Sequence, residues 1–375
     1  AIRSQDVLGG QVPLLGMWAS TSWAAGLDMN HPGPLRFDAL AVPVALFGNA
    51  AGSAIGMALI NGVSVVGLFL VVRRRGGAVG GALALAVGAL LCWSLGSAVL
   101  VEPWHATAVL LPFLLLAALA WSVADGDLVC LPFAVVVGSF ILQTNLSYAV
   151  LVPAVLLWGL AGWASGRRAE RSTGDGSTGE GSTGDRPARG RSLGALAAVT
   201  VAVGLVCWAQ PLAEQLFGDG EGNVSRLWRG LREDQQTVNW STAIRSVAEV
   251  VAVPPWWLRP SYGDGFAFGA FGNPLPSLLV SLVGLAVVLV LLVGAGWAAR
   301  RRNDRTALTG VATAGVVLAA ALVSANQTPT SVAGTVAYQV RFLWPVGAFV
   351  TLALVFAVAR LWAPALDRRP ARRPG

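Results

Sequence analysis

The chain has 375 residues, 55% of them hydrophobic and 12% charged, with a mean hydropathy of +0.65 and a net charge of +7. Apolar residues come in uninterrupted blocks instead of the spaced pattern of a surface helix, which excludes an ordinary soluble domain and places the chain among membrane proteins. The basic residues are all arginine and gather at the ends of apolar blocks, so the charge reads as a topology signal and not as a nucleic-acid footprint.

The first fifty residues open on Ala1 and a polar stretch without the layout of a signal peptide, so a longer parent beginning upstream is expected. His31-Pro32-Gly33-Pro34-Leu35 then leads into Arg36-Phe37-Asp38, with Leu40, Val44 and Phe47 on an approximate helical face. The two prolines fix the approach of a helix lying along the membrane surface. Blocks long enough to cross about 30 Å of hydrocarbon follow near 52–72, 78–100, 104–124, 128–146, 147–164, 193–209, 276–298, 307–325 and 339–361. Residues 128–164 are too long for one span, and Gln143-Thr144-Asn145 marks a tight hairpin inside them. With that hairpin, Arg73–Arg75, Arg167–Arg168, Arg300–Arg305 and Arg368–Arg373 all fall on one side, the cytoplasm by the positive-inside rule. The turn Asp125–Asp127 carries no basic residue and is the weakest point of this scheme.

The fold expected is all-α, a polytopic transmembrane helical bundle with extracytoplasmic loops carrying short helices. Its segments are an extracytoplasmic first loop with an interfacial helix (1–50), membrane helices (51–165), a cytoplasmic linker (166–191), a membrane helix (192–209), a second extracytoplasmic loop (210–275), membrane helices (276–362) and a basic tail (363–375). The linker holds the repeat STGDG, STGEG, STGD, too polar and Gly-rich to pack a core. Cys92, Cys130 and Cys207 lie inside apolar runs and imply no disulfide framework. Trp23, Trp240, Trp256 and Trp257 suit an interfacial belt or, together, a sugar-stacking cleft.

Both histidines, His31 and His105, fall near helix ends on the outer side, with Asp28, Asp38 and Glu102 close in sequence. Two readings stand: ligands of a divalent cation, or hydrogen-bonded histidines at helix starts; the spacing matches no metal motif.

Asp6-Val7-Leu8, Pro13-Leu14-Leu15-Gly16, the HPGPL run from His31 and an apolar helix ending Leu46-Phe47-Gly48 resemble the first external loop of the GT-C superfamily. These are integral-membrane glycosyltransferases, including relatives of the dolichyl-phosphate-mannose protein mannosyltransferases, and the likeness is to actinobacterial members. Glu102-Pro103-Trp104-His105 is similar to a Pro-Trp-Asn turn of such proteins, with His105 in place of Asn. Tyr338-Gln339-Val340-Arg341-Phe342-Leu343-Trp344-Pro345 resembles their late Arg-bearing helix start, and Gln210-Pro211-Leu212 with Gly222-Asn223-Val224-Ser225-Arg226 their long outer loop.

The resemblance implies transfer of a sugar from a polyprenyl-phosphate donor to a glycan, lipid or protein acceptor on the outer face of the cell membrane. It implies a carboxylate base, drawn from Asp6, Asp38 and Glu102, with the main acid expected in a Gly-Asp motif upstream of Ala1. Arg341 and Tyr338 are the implied donor-phosphate contacts, and His31, His105, Trp256 and Trp257 the substrate contacts. Metal dependence is left open, with Mg or Mn the candidate cofactors. Arg341 has a plain alternative as a snorkelling interfacial arginine. Two other functions remain in view: a transporter or flippase for a lipid-linked substrate, which would place ionisable groups at the bilayer midplane, and a non-catalytic scaffold of the same fold.

Overall fold

A computed structural model describes residues 2–19, 22, 26–174, 186–230, 232, 237–251, 275–329 and 337–366, the side chains of 169–174, 186–192, 337–338 and 362–366 excepted. Twelve helices are named: α1 (Ile2–Leu8), α2 (Leu35–Phe47), α3 (Asn49–Val101), α4 (Leu110–Ala124), α5 (Cys130–Thr144), α6 (Leu151–Gly174), α7 (Arg186–Phe217), α8 (Asn223–Gly230), α9 (Trp240–Val251), α10 (Leu278–Arg301), α11 (Arg305–Asn326) and α12 (Trp344–Leu366). Among the described residues six helices are long and apolar enough to cross a membrane, and α4 and α5 are shorter apolar helices among them. The chain is a membrane-embedded helical bundle.

The first of the six long helices is two spans. Gly77 adopts φ 64°, ψ −155° inside α3, a backbone conformation open to glycine and costly for residues with a Cβ. The helix doubles back there. Asn61 Nδ2 donates to Leu100 O at 2.7 Å, although 39 residues of continuous helix would hold them about 58 Å apart. A Cβ on Gly81 would stand 2.8 Å from the Phe69 ring, so the glycines let the two arms close on each other. The two spans expected near 52–72 and 78–100 are therefore present.

Helix α4 lies at the centre, all fifteen of its residues buried, as an apolar surface on every side requires. It packs against α3, α5, α6, α11 and α12. Trp121 fixes its inner end: its indole donates to Thr306 O at 2.9 Å and meets Phe356 edge-on at 4.8 Å. Where a span over 104–124 is expected, the helix starts only at Leu110. The Thr107 hydroxyl bonds Glu102 O and Trp104 O at 3.1 Å, holding 102–107 in a turn behind Pro103. Likewise α5 covers 130–144 of the expected 128–146. The hairpin at Gln143–Asn145 is present, with a 3-10 turn Leu146–Tyr148 leading to α6.

One end of the bundle collects charge. Arg75 pairs with Asp125 at 3.0 Å and Asp127 at 2.8 Å, Arg74 with Asp127 at 3.0 Å, and Arg360 with Asp304 at 2.8 Å. The Thr306 hydroxyl donates to Asp125 at 2.9 Å, and Gly166 lies against the Arg305 guanidinium. The clusters at 73–75, 166–168 and 300–305 thus share one end. The Asp125–Asp127 turn belongs there too, because its carboxylates are the counter-ions of Arg74 and Arg75.

The linker is shorter than expected. Helix α6 continues to Gly174 and α7 starts at Arg186, so helix occupies both ends of 166–191, and the repeat from 175 to 185 lies outside the described residues. Helix α7 also runs past the expected limit at 209, through Pro211, to Phe217. Pro211 is tolerated inside the helix because the Cys207 carbonyl that it leaves without an N–H partner accepts from Gln143 Nε2 at 2.6 Å.

Candidate functional site at the opposite end

The end opposite the arginine clusters is built from the first loop, the turn 102–109, the α5–α6 hairpin and the segments around α8 and α9. The first loop is a pinned frame. Gly16 N donates to His31 O at 3.0 Å, His31 N to Met17 O at 2.7 Å and Ala19 N to Met29 O at 2.9 Å, and Trp18 and Asn30 form an antiparallel bridge. A Cβ on Gly16 would stand 2.8 Å from His31 Cβ, and one on Gly33 would strike Gln143 and Pro211. Both glycines are there to allow close approach. Asn223, at the start of α8, grips the frame from across the chain: its side chain accepts from Asn30 N at 2.9 Å and donates to Asn30 O at 3.0 Å. Arg226 donates to Asp28 O at 3.0 Å and pairs with Glu214 at 3.6 Å.

Helix α2 then carries Arg36 inward. A helix is present where one is expected after the two prolines, and its turn of Pro34 O with Phe37 N (2.6 Å) aims the next residues at the bundle. Arg36 is 5% exposed; it donates to Pro103 O at 2.7 Å, tying the first loop to the Glu102–His105 turn. Burial lowers its pKa to about 10. His31 and His105 face each other with ring centroids 4.8 Å apart, and Trp104 meets His105 edge-on at 5.2 Å. Burial, then the other histidine, then Arg36 hold the His31 pKa well below its ordinary value. Burial and then Arg36 push His105 down to about 4. Both rings are therefore neutral at pH 7.

Below them sits the hairpin turn. Gln143 donates to Cys207 O at 2.6 Å, the Asn145 side chain accepts from Ser147 N at 2.9 Å, and Asn145 Nδ2 reaches His105 O at 3.5 Å. His31 Nδ1 and Nε2, His105 Nδ1, Gln143 Oε1 and Thr144 Oγ1 are buried without a hydrogen-bond partner among the described residues. The crevice lined by Arg36, Gln143 and Thr144 is closed in this structure; the buried guanidinium gives it a positive potential, one N–H of each neutral imidazole and the Thr144 hydroxyl can donate to an anion, and Gln143 Oε1 can only accept.

The expected carboxylates are spread out. Glu102 ends α3; burial raises its pKa and the Arg341 charge opposes the rise. Asp38 is half-buried on α2, raised by burial and opposed by a 3.4 Å hydrogen bond from Gln210. Asp6 is half-exposed on α1. Among the described residues no three His, Cys, Asp or Glu side chains converge as metal ligands. Two imidazoles beside a guanidinium are a poor match for Mg or Mn, which take oxygen ligands. Arg341, in the 3-10 turn Arg341–Leu343, is 1% exposed with its guanidinium 5.3 Å from the Trp344 ring. It is enclosed by protein, whereas a snorkelling arginine extends its head to the interface.

Tyr338 falls in the helical turn Ala337–Val340, with its side chain outside the described residues, as are Trp23, Trp256 and Trp257. Trp240 opens α9 and is 54% exposed. Arg36, Gln143 and Asn223 are the residues that sequence reasoning did not rank as functional. Arg36 carried a signal, being a charge at the head of an apolar helix just after two prolines. Asn223 stood out only as part of the stretch 222–226, and nothing there pointed to its partner 193 positions away. Comparison with family models, with curated proteins and with solved structures returned no match to this chain.

Proposed function

We propose that the protein is a membrane glycosyltransferase that moves a sugar from a polyprenyl-phosphate donor to a cell-envelope acceptor on the extracytoplasmic face. The observation that carries this reading is a pair of buried guanidiniums, Arg36 and Arg341, at the end of the bundle away from the arginine clusters. By the positive-inside rule that end faces outward. A guanidinium at the head of apolar helices suits a lipid phosphate whose tail stays in hydrocarbon. Arg341 and Arg36 bind the phosphate, and His31, His105 and Thr144 supply hydrogen bonds to it. Phosphate is the leaving group, so fixed cations aimed at its oxygens stabilise charge that develops in the transition state.

Glu102 is the favoured base among the three acids. It adjoins Pro103, whose carbonyl Arg36 binds, and feels the Arg341 charge, which opposes the rise that burial gives its pKa. A transporter is less well supported, since buried ionisable side chains in the described spans gather at the two ends and leave the middle apolar.

The test is turnover of the protein in lipid nanodiscs with polyprenyl-phosphate sugars and envelope glycans, read as release of polyprenyl phosphate with glycosylated acceptor. Transfer that falls about a hundredfold or more in Glu102→Gln is expected. Absence of transfer across a panel of donor sugars would remove the enzyme reading.

A further inference from the structure

The first loop also builds an open cleft of about 430 Å³ that the phosphate site does not use. Its polar lining comes from Arg3, Asp28 and Asn30, and its aromatic lining from the buried Phe37 and from Trp18, 44% exposed. The volume lies in the range of small-molecule clefts, and a guanidinium, a carboxylate and an amide around an exposed indole are the group types that bind a sugar. The planar polar groups pair two at a time with vicinal hydroxyls, and the C–H face of a pyranose or furanose lies on the indole.

The cleft is preorganised. Trp18 Nε1 donates to Asp28 Oδ1 at 3.0 Å, which fixes the indole plane relative to the carboxylate. Asn30 is held through its backbone by Asn223 at 2.9 and 3.0 Å, which leaves its side-chain amide for the cleft. Arg226 holds the Asp28 carbonyl. Groups locked before binding lose less entropy on meeting a ligand.

Position decides which sugar. Gly16, Met17 and Phe37 line both this cleft and the narrow crevice that holds Arg36, Gln143 and Thr144. The two are neighbours across one wall. A donor sugar is bonded directly to its phosphate and must sit on the cation side. An acceptor arrives from water, and the cleft opens on the side of the exposed Arg3 and Trp18. Resting on the glycosyltransferase reading above, we infer that the Arg3–Trp18–Asp28–Asn30 cleft is a carbohydrate subsite that holds the acceptor sugar beside the donor phosphate.

The test is saturation-transfer NMR of the nanodisc-embedded protein with methyl glycosides of hexoses and pentoses, without donor. Saturable binding is expected, weakened at least tenfold by Trp18→Ala and by Asp28→Asn, with Trp18→Phe intermediate and the lipid-facing Trp93→Ala unchanged. Thermal melts of each variant check that the loop stays folded. No transfer of saturation to any glycoside, or equal binding in Trp18→Ala and Asp28→Asn, overturns the subsite. Binding of unglycosylated polyprenyl phosphate is measured in parallel. Its failure alone counts against the donor site while leaving the cleft standing, and failure of the glycosides alone removes the cleft.

Discussion

His105 gives the site a pH signature with a definite sign. Its pKa falls from 6.5 to about 4 on folding, a displacement of about 3 kcal/mol between protonation states. Below pH 6.5 the unfolded chain binds a proton that the folded site refuses, so the unfolded state is favoured as pH falls. The contribution is complete near pH 7 and lost progressively between pH 6.5 and about 4. At pH 4.5 the His105 term alone removes about 2 to 3 kcal/mol, and His31, lowered for the same causes, adds to it with the same sign. The assay is unfolding in detergent micelles from pH 7 to 4.5, wild type against His105→Gln. The variant should show a shallower loss of stability over that range. Imidazole NMR should find both rings neutral at pH 6, and inorganic phosphate should shift them toward the protonated form by offsetting the Arg36 charge. An identical pH slope in wild type and variant, or a ring titrating near 6.5, refutes the argument that burial beside Arg36 sets these histidines.

Three further outcomes follow from the packing. Arg341→Ala should weaken binding of a polyprenyl-phosphate donor by about 1.5 to 3 kcal/mol, roughly ten- to a hundredfold or more, and Arg341→Lys should recover only part of it because the bidentate fork is lost; binding isotherms in nanodiscs decide. Asp125→Ala removes one of the two carboxylates on Arg75, which keeps Asp127 at 2.8 Å, and strips the Thr306 hydroxyl of its acceptor; it should cost about 1 to 3 kcal/mol of stability, read as a lowered melting temperature, whereas Asp219→Ala on the opposite surface should be near neutral. Cysteines placed in the 172–185 repeat should resist an impermeant thiol reagent in intact cells while ones near Gly220 react; labelling of both from the same side sinks the topology.

The spans were legible because a bilayer imposes the same length and polarity on each of them. Gln143-Thr144-Asn145 announced its hairpin as a polar break in an apolar run, and the shared end of the arginine clusters followed from counting spans. What local pattern missed was set by distant packing. Pro103 was visible, yet nothing in 104–109 foretold that Arg36 would bind its carbonyl and hold that stretch out of the helix. The polar ends of α6 and α7 read as linker, although the helices continue past the apolar layer into 169–174 and 186–191, where backbone hydrogen bonding needs no apolar face. The site was half legible. His31, His105, Glu102 and Arg341 were chosen for residue type and placement, and the bundle brings His31 and His105 together and sets Glu102 within the influence of Arg341. Arg36 and the Asn30–Asn223 clasp depend on contacts between remote segments that periodicity does not encode.

The central claim is that the outer end of the bundle holds a lipid-linked phosphate. The direct measurement is equilibrium binding of a polyprenyl-phosphate sugar to the protein in nanodiscs, against the same polyprenol without phosphate. The account predicts saturable binding that requires the phosphate, competes with inorganic pyrophosphate, and drops at least tenfold in both Arg36→Ala and Arg341→Ala with the fold intact. Equal binding of phosphorylated and unphosphorylated polyprenol, or donor affinity unchanged in both arginine variants, would contradict it.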